Sequence, residues 1–583
     1  MVRSRWAACG IIALLSAALA AAPAWSQTFT RHVVVAQEGN AADAGRDALR
    51  RGGSAVDAAV ATAFALAVTH PSAGNLGGGG FLVAYDAPRK SVVTVDFREA
   101  APQRATQRMY LGPGGKPLAG HRAGARAAGV PGTVRGLALA HRKLGRLAWG
   151  DLVRPAVRLA REGFPVSATL ARSLNAQLFD PAKLDIARDD LGHEQDRLAA
   201  FPESVAAFRK GDGSPWQSGD RLIQRDLADT LDRIASEGPD EFYTGKTAEL
   251  IVNYMVAHDG LIAREDLALY QARERPPVHT TFRGFDIYGM GPSASGGIVV
   301  GLMLNILERY DLRTDGPGAP RTLHRVTEAM RRGFFTRAMA IGDPDFVEVP
   351  TTLLSSKAHA DELARTIGDR ATPSGSLASF PILSDEGNET THLSTLAADG
   401  SAVALTYTLE QGYGAKAVVA DAGFLLNNEM GDFNLIPGRT DDSGRIGTPA
   451  NLIAGGKRML SSQAPTIVLD EGRVRLVTGS PGGRTIPNTT LWVILNVLEF
   501  NLDPRTAVDA PRTHHPWFPD VLTLEGPAAK WPKETRATLS EWGHRVQLGG
   551  IQGDAHSIVV DRTSGTIHGL ADRRRQTSRA SGD

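Results

Sequence analysis

Thr390 and Thr391, adjacent in the stretch NETTHLS, are the residues whose type and setting best admit nucleophilic chemistry in this chain. A threonine hydroxyl is a poor nucleophile without a base beside it, and no local arrangement of histidine or lysine supplies one. If the peptide bond before a threonine is cut, its freed α-amine, with a pKa of about 7.7 to 8.0, accepts the hydroxyl proton at neutral pH. That chemistry needs a scissile bond in an accessible segment, a strand that holds the new terminus, and backbone donors for an oxyanion. Residues 376–389 (SLASFPILSDEGNE) read as an exposed linker, a strand begins near Thr391, and Gly482 and Gly483 in TGSPGG (478–483) offer amides. The ordinary alternative is a threonine pair that simply opens a strand, because threonine favours extended backbone.

Other chemistries lack their residues. Cys9 is the single cysteine and lies inside the N-terminal leader described below, so the processed chain has no thiol nucleophile, disulfide or thiolate metal site. TGKT (244–247) resembles the end of a phosphate loop, but Asp240 stands where the opening glycine is required. GNLGGGG (74–80) contains GxGxxG in no register and precedes a strand, so its expected role is close backbone packing. GPSASGG (291–297) has Ser295 where a nucleophile elbow needs its last glycine. No HExxH occurs, and His514 with His515 reads as a structural corner, so no metal site is assigned.

The elements that must position the threonines come from a chain of 583 residues, 42% hydrophobic and 22% charged, which is enough to bury a large core. A net charge of +1, with basic residues scattered apart from Arg573, Arg574 and Arg575, recommends neither nucleic acid nor an anionic membrane as a partner. Arg3 and Arg5, the apolar run 11–22, and small residues Ala24 and Ser26 spell an export leader over residues 1–26. The run is too short to span a membrane comfortably, so a periplasmic or secreted protein is expected.

Residues 40–70 predict two helices broken at Gly52 and Gly53, with Ser54 as N-cap; the second is apolar nearly all round and should be buried. FLVAYD (81–86) and SVVTVDF (91–97) read as strands, and helical patterns dominate from about 130 to 275. Residues 392–409 form a predicted hairpin turning at Asp399-Gly400, and residues 466–480 another turning at Glu471-Gly472. Helices are expected in the 490s and the 530s to 540s. Strands flanked by helices suggest a layered α/β sandwich with largely antiparallel sheets.

TTHLS with TYTL, LLNNEMGDF (425–433), LSSQAPTIV (460–468) and TGSPGG together resemble the small-subunit motifs of the γ-glutamyltransferases, also called γ-glutamyltranspeptidases. HPSAGNLGGGGF (70–81), DFREAAP (96–102), PSASGG (292–297) and APRTHHPW (510–517) extend the likeness over almost the whole processed chain. The resemblance implies an N-terminal nucleophile hydrolase fold, a four-layer αββα sandwich made as one precursor. Self-cleavage between Glu389 and Thr390 would yield a large subunit (27–389) and a small subunit (390–583), held as a heterodimer. Thr390 is then the nucleophile, and Thr408 in TYTL the threonine that supports it. Arg98 matches the clamp for a substrate α-carboxylate, and Ser461 and Ser462 match its hydrogen-bonding pair. Glu429, Asp432 and Glu410 match positions that hold the α-ammonium, and Gly482 and Gly483 match the oxyanion hole.

The activity so implied transfers a γ-glutamyl group, as from glutathione, to water or to an amino acid or dipeptide acceptor, with no metal or organic cofactor. Glu410 departs from the family, many members of which carry asparagine there, and the lid segment 434–458 contains no Tyr, Phe or Trp. Arg484 follows the glycines where a small residue is usual. Two other readings stay open: an acylase of similar fold acting on glutaryl or cephalosporin-type amides, and a non-catalytic exported binding protein.

Overall fold

The computed structural model describes residues 26–115, 118–179, 196–377, 389–440 and 446–583. The expected leader and most of the expected linker lie outside them. Ser26, the last leader residue, begins strand Ser26–Phe29 and pairs with Leu570.

Two seven-stranded sheets dominate the described residues. In the first, the order is Arg579–Gly582, Val33–Ala36, Thr391–Leu396, Ala402–Thr408, Gly79–Asp86, Ser91–Phe97 and Arg273–Arg275. In the second it is Ser26–Phe29, Ile567–Ala571, His556–Val560, Arg473–Thr478, Thr466–Asp470, Phe285–Gly289 and Val278–Phe282. Neighbouring strands within both sheets run antiparallel. Each sheet mixes strands from before and after residue 390, so the two prospective subunits share both sheets.

Period-2 alternation sorts the side chains into layers. Val33, Val35, Phe81, Val83 and Ala404 of the first sheet meet Ile467, Val477 and Ile558 of the second in a core between the sheets. The opposite face of the first sheet, with Val34, Leu82 and Leu405, packs on helical residues such as Val60, Phe64 and Val153. The outer face of the second sheet, with Val468, Leu476 and Val559, packs on Ile298, Met303, Val326 and Leu491. The result is the expected αββα sandwich.

Local expectations hold where the signal is local. Helices Gly39–Arg50 and Ala55–Thr69 flank the Gly52-Gly53 break. Ser54 Oγ accepts from the Asp57 amide and Asp57 Oδ2 from the Ser54 amide, a reciprocal cap. All fifteen residues of the second helix are buried. The Glu471-Gly472 turn has positive φ at both residues, 50° and 76°, as a two-residue hairpin requires.

The glycine run 74–80 packs tightly, as expected. A Cβ on Gly78 would stand 2.0 Å from the Thr408 carbonyl oxygen, and one on Gly80 2.3 Å from that of Thr406. Asn75 Nδ2 donates to the Thr408 carbonyl at 2.9 Å, and its Oδ1 accepts from the Gly78 amide and the Thr133 hydroxyl. Thr408 is thus fixed from behind by backbone that only glycine permits. We predict that Gly78→Ala destabilises the chain by about 1–3 kcal/mol. Urea unfolding checks this against Gly301→Ala, whose Cβ would meet Thr280 at an ordinary 3.5 Å.

Candidate active site

Strands Thr391–Leu396 and Ala402–Thr408 pair with Thr391 opposite Tyr407 and His392 opposite Thr406. Continuing that register by one residue sets Thr390 opposite Thr408, both side chains on the face between the sheets. Thr390 Oγ1 lies 3.4 Å from Thr408 Oγ1. The Glu410 amide donates to Thr408 Oγ1 at 2.8 Å, and that hydroxyl in turn donates to the Glu389 carbonyl at 2.8 Å. The carbonyl of the Glu389-Thr390 bond is therefore polarised by a hydroxyl whose own oxygen is held by a backbone amide. Glu389 is held a second time, its carboxylate 3.5 Å from Arg575 Nη2, while Arg575 Nε lies 3.9 Å from Asp554.

Behind Thr390 stands a buried polar layer. His392 engages Thr406 at 2.8 Å and Ser394 at 3.1 Å, and its ring stacks on His556 at 6.4 Å. Burial drives the His392 imidazole well below its usual pKa, with His556 adding to the effect, so it stays neutral.

Thr390, Thr408, Arg98, Glu410, Glu429, Asp432, Ser461, Ser462 and Gly483 line one small cavity. Gly482 precedes Gly483 at its edge. Their φ values of 128° and 53° belong to glycine. A Cβ on Gly482 would fall 2.4 Å from Thr485 Oγ1, at the start of helix Thr485–Ile494. Among the described residues neither glycine amide donates a hydrogen bond within the protein.

Arg98 is fully buried at the end of strand Ser91–Phe97. Its guanidinium meets Glu429 at 2.7 Å and Glu99 at 3.3 Å, and it also pairs with Asp432. Burial alone would weaken its charge, but the carboxylates of Glu429, Glu99 and Asp432 more than offset this. Burial raises the Glu429 carboxyl well above the usual range, against the pull of Arg98, and raises that of Glu99 in the same way. Glu410, at φ 84°, accepts from Asn428 Nδ2 at 2.5 Å. Three carboxyl groups thus meet one guanidinium, with Glu410 on the same cavity, so the set offers a cation to an anionic group and acids to a cationic one.

Ser461 is held through its backbone: the amide and hydroxyl of Ser295 both donate to its carbonyl, at 2.8 and 2.7 Å, and Arg337 Nε supports the Ser295 hydroxyl. The serine of GPSASGG is thus a brace for the cavity wall. His514 engages Asn488, and His515 engages Asp520 at 3.1 Å, as a corner should. Lys246 of TGKT pairs with Glu249 and Thr247 with Glu241.

Nine of the ten expected site residues line one cavity, and the tenth, Gly482, precedes Gly483 in the chain. Sequence reasoning did not assign Asn75, Glu99, Ser295, Arg575 or the Glu389 side chain. The first three lie in motifs already recognised, but nothing in the sequence tells which way they face. His324, Glu328 and His544 also place ligand-type atoms within 4.8 Å of one another. Glu328, however, is already engaged by Arg331 and Arg332, and the two imidazoles lie 2.8 Å apart, within hydrogen-bond distance.

Residues 41–582 match the family described as gamma-glutamyltranspeptidase. The glutathione hydrolase proenzyme of Escherichia coli is 40% identical over 548 residues, spanning 93% of this chain and 90% of that protein. The structure is similar to that of a cephalosporin acylase from Bacillus halodurans, with a TM-score of 0.81 and 25% identity over 96% of this chain and 97% of that one. It is also similar to the γ-glutamyltranspeptidase of Helicobacter pylori, with a TM-score of 0.53 and 39% identity over 57% of this chain and 91% of that one. With its fold, its threonine pair and its cavity in place, the chain belongs to the γ-glutamyltranspeptidase family.

Proposed function

We propose that this protein is a γ-glutamyltransferase with glutathione hydrolase activity that matures by cutting itself between Glu389 and Thr390. The observation that carries this reading is the Thr408 hydroxyl, which donates to the Glu389 carbonyl while standing opposite Thr390 in a cavity shared with Arg98 and its acids. In maturation, Thr390 Oγ attacks the Glu389 carbonyl carbon, the C–N bond breaks, and the Thr390 nitrogen leaves as an amine. Water then hydrolyses the resulting ester, leaving a Glu389 carboxylate and a free Thr390 hydroxyl.

The same hydroxyl next serves turnover. The α-amine of Thr390 accepts its proton, and Oγ attacks the γ-carbonyl of the donor while the amides of Gly482 and Gly483 receive the oxyanion. The amine product leaves, and a γ-glutamyl ester on Thr390 remains. Water, or the amine of an amino acid or dipeptide, releases the γ-glutamyl group. Arg98, Ser461 and Ser462 hold the donor's α-carboxylate; Glu429, Asp432 and Glu410 hold its α-ammonium. Residues 27–389 and 390–583 stay associated because both sheets contain strands from each. Residues 1–26 direct export to the periplasm or beyond; among the described residues no helix is long and apolar enough to cross a membrane.

An acylase reading draws on the likeness to the cephalosporin acylase. Two buried carboxylates beside the carboxylate clamp favour a donor with an α-amine, which a glutaryl group lacks. Assay with γ-glutamyl-p-nitroanilide and glutaryl-p-nitroanilide decides between them: faster release from the glutaryl compound overturns the γ-glutamyl reading.

On denaturing gels Thr390→Ala remains a single uncut chain, and its γ-glutamyl turnover falls by ~10³-fold or more. Cleavage of that variant at the same bond refutes self-processing by Thr390. Arg575→Gln slows precursor cleavage about two- to five-fold, the scale of a partly exposed ion pair. The rate of γ-glutamyl hydrolysis rises with pH on a limb centred near about 7.7 to 8.0, where the α-amine loses its proton. A flat profile between about pH 6 and 9 removes the amine from that role.

A further inference from the structure

Gln463 lines the same cavity as Thr390 and Arg98 and is 1% exposed. Neither its side-chain oxygen nor its side-chain nitrogen has a hydrogen-bond partner among the described residues. Buried amides are nearly always paired, and one left bare in a protein interior needs a reason. A position that needed only volume would take methionine, which has the same reach and no polar atoms to desolvate.

The backbone at this point is rigidly held. The Gln463 amide donates to Ser461 Oγ at 3.2 Å. Ser295 grips the Ser461 carbonyl, and Gly296 lies so close that a Cβ there would stand 2.2 Å from the Gln463 carbonyl oxygen. The residue is therefore placed in advance, as a recognition group must be. Glu429 shares its condition: both carboxylate oxygens lack hydrogen bonds, although one stands 2.7 Å from Arg98. The bare amide of Gln463 and the acid of Glu429, held by Arg98 alone, thus line one cavity and offer a ligand both a donor and acceptors.

We infer that Gln463 is a specificity-determining residue of the donor site, its amide nitrogen donating to the α-carboxylate of the bound donor and its carbonyl oxygen accepting from the α-ammonium. This rests on the γ-glutamyltransferase reading and extends it: the pocket recognises donors with a free α-amino acid head through a neutral group as well as through charges. An amide carries one donor face and one acceptor face, so it suits the border between the two charged substituents. A site built to hydrogen-bond a ligand group discriminates strongly against analogues that lack it.

The test uses the full-length protein, wild type, Gln463→Met and Gln463→Glu. Self-cleavage on gels reports that each has folded, since the nucleophile must be assembled to cut. The Met variant is expected to raise KM for γ-glutamyl-p-nitroanilide about ten-fold, with kcat within about two-fold, as loss of a hydrogen bond to a charged group predicts. The Glu variant raises KM further, because its charge faces the donor's carboxylate. Inhibition by glutarate, which has no ammonium, weakens less than inhibition by L-glutamate in the Met variant. KM within two-fold of wild type in both variants overturns the proposal, as does an equal loss for glutarate and L-glutamate. A wild type that cleaves itself but releases nothing from γ-glutamyl-p-nitroanilide overturns the underlying reading instead, and the inference with it.

Discussion

The site depends on the register of one hairpin. Thr391 faces Tyr407, so Thr390 faces Thr408, and the second hydroxyl can reach the carbonyl that precedes the first. A slip of one residue in either strand would turn its threonine to the helical face, away from the other. Three features oppose that slip: alternating apolar residues on the two strands, the Gly400 turn with φ 85°, and the glycine run that presses Gly78 and Gly80 against the second strand. The glycines set how closely the backbone behind Thr408 can approach, and Asn75 bonds across that contact. The proposed attack of Thr390 on the bond before it would need this rigidity, since the hydroxyl and the carbonyl belong to neighbouring residues.

Charge supplies the second layer of organisation. Arg98 is buried among acids that outnumber it, an arrangement with a large desolvation cost when no ligand is present. Burial pushes the Glu429 and Glu99 carboxyls upward there, against the pull of Arg98. In the proposed function a zwitterionic donor head would give Arg98 a carboxylate and the acids an ammonium.

Much of this was legible from residues alone. Caps, glycine breaks and hairpin turns are short-range devices, and Ser54, the Gly52-Gly53 break and Glu471-Gly472 lie where the sequence placed them. Strands Val278–Phe282 and Phe285–Gly289 and the helices Gly296–Leu307 and Pro320–Ala340 were not read, although they form an edge and an outer layer of the second sheet. Helix Gly296–Leu307 is buried throughout, so its apolar residues follow no one-sided period. Strands from early and late in the chain interleave in both sheets, because sheet neighbours are chosen by burial and not by order along the chain.

By itself the sequence determined which groups exist to do chemistry: a chain with one cysteine, at position 9, a threonine preceding a strand, a pair of adjacent glycines, and an arginine and acids in motifs shared with the γ-glutamyltranspeptidases. These are matters of residue type and local spacing, which short-range forces translate directly into turns, caps and strands. Only the tertiary structure decided that Arg575 reaches Glu389, that Ser295 braces Ser461, and that Gln463 stands unpaired on the cavity wall. The two pairings join residues 186 and 166 positions apart, and which residues meet is set by how the two sheets pack face to face.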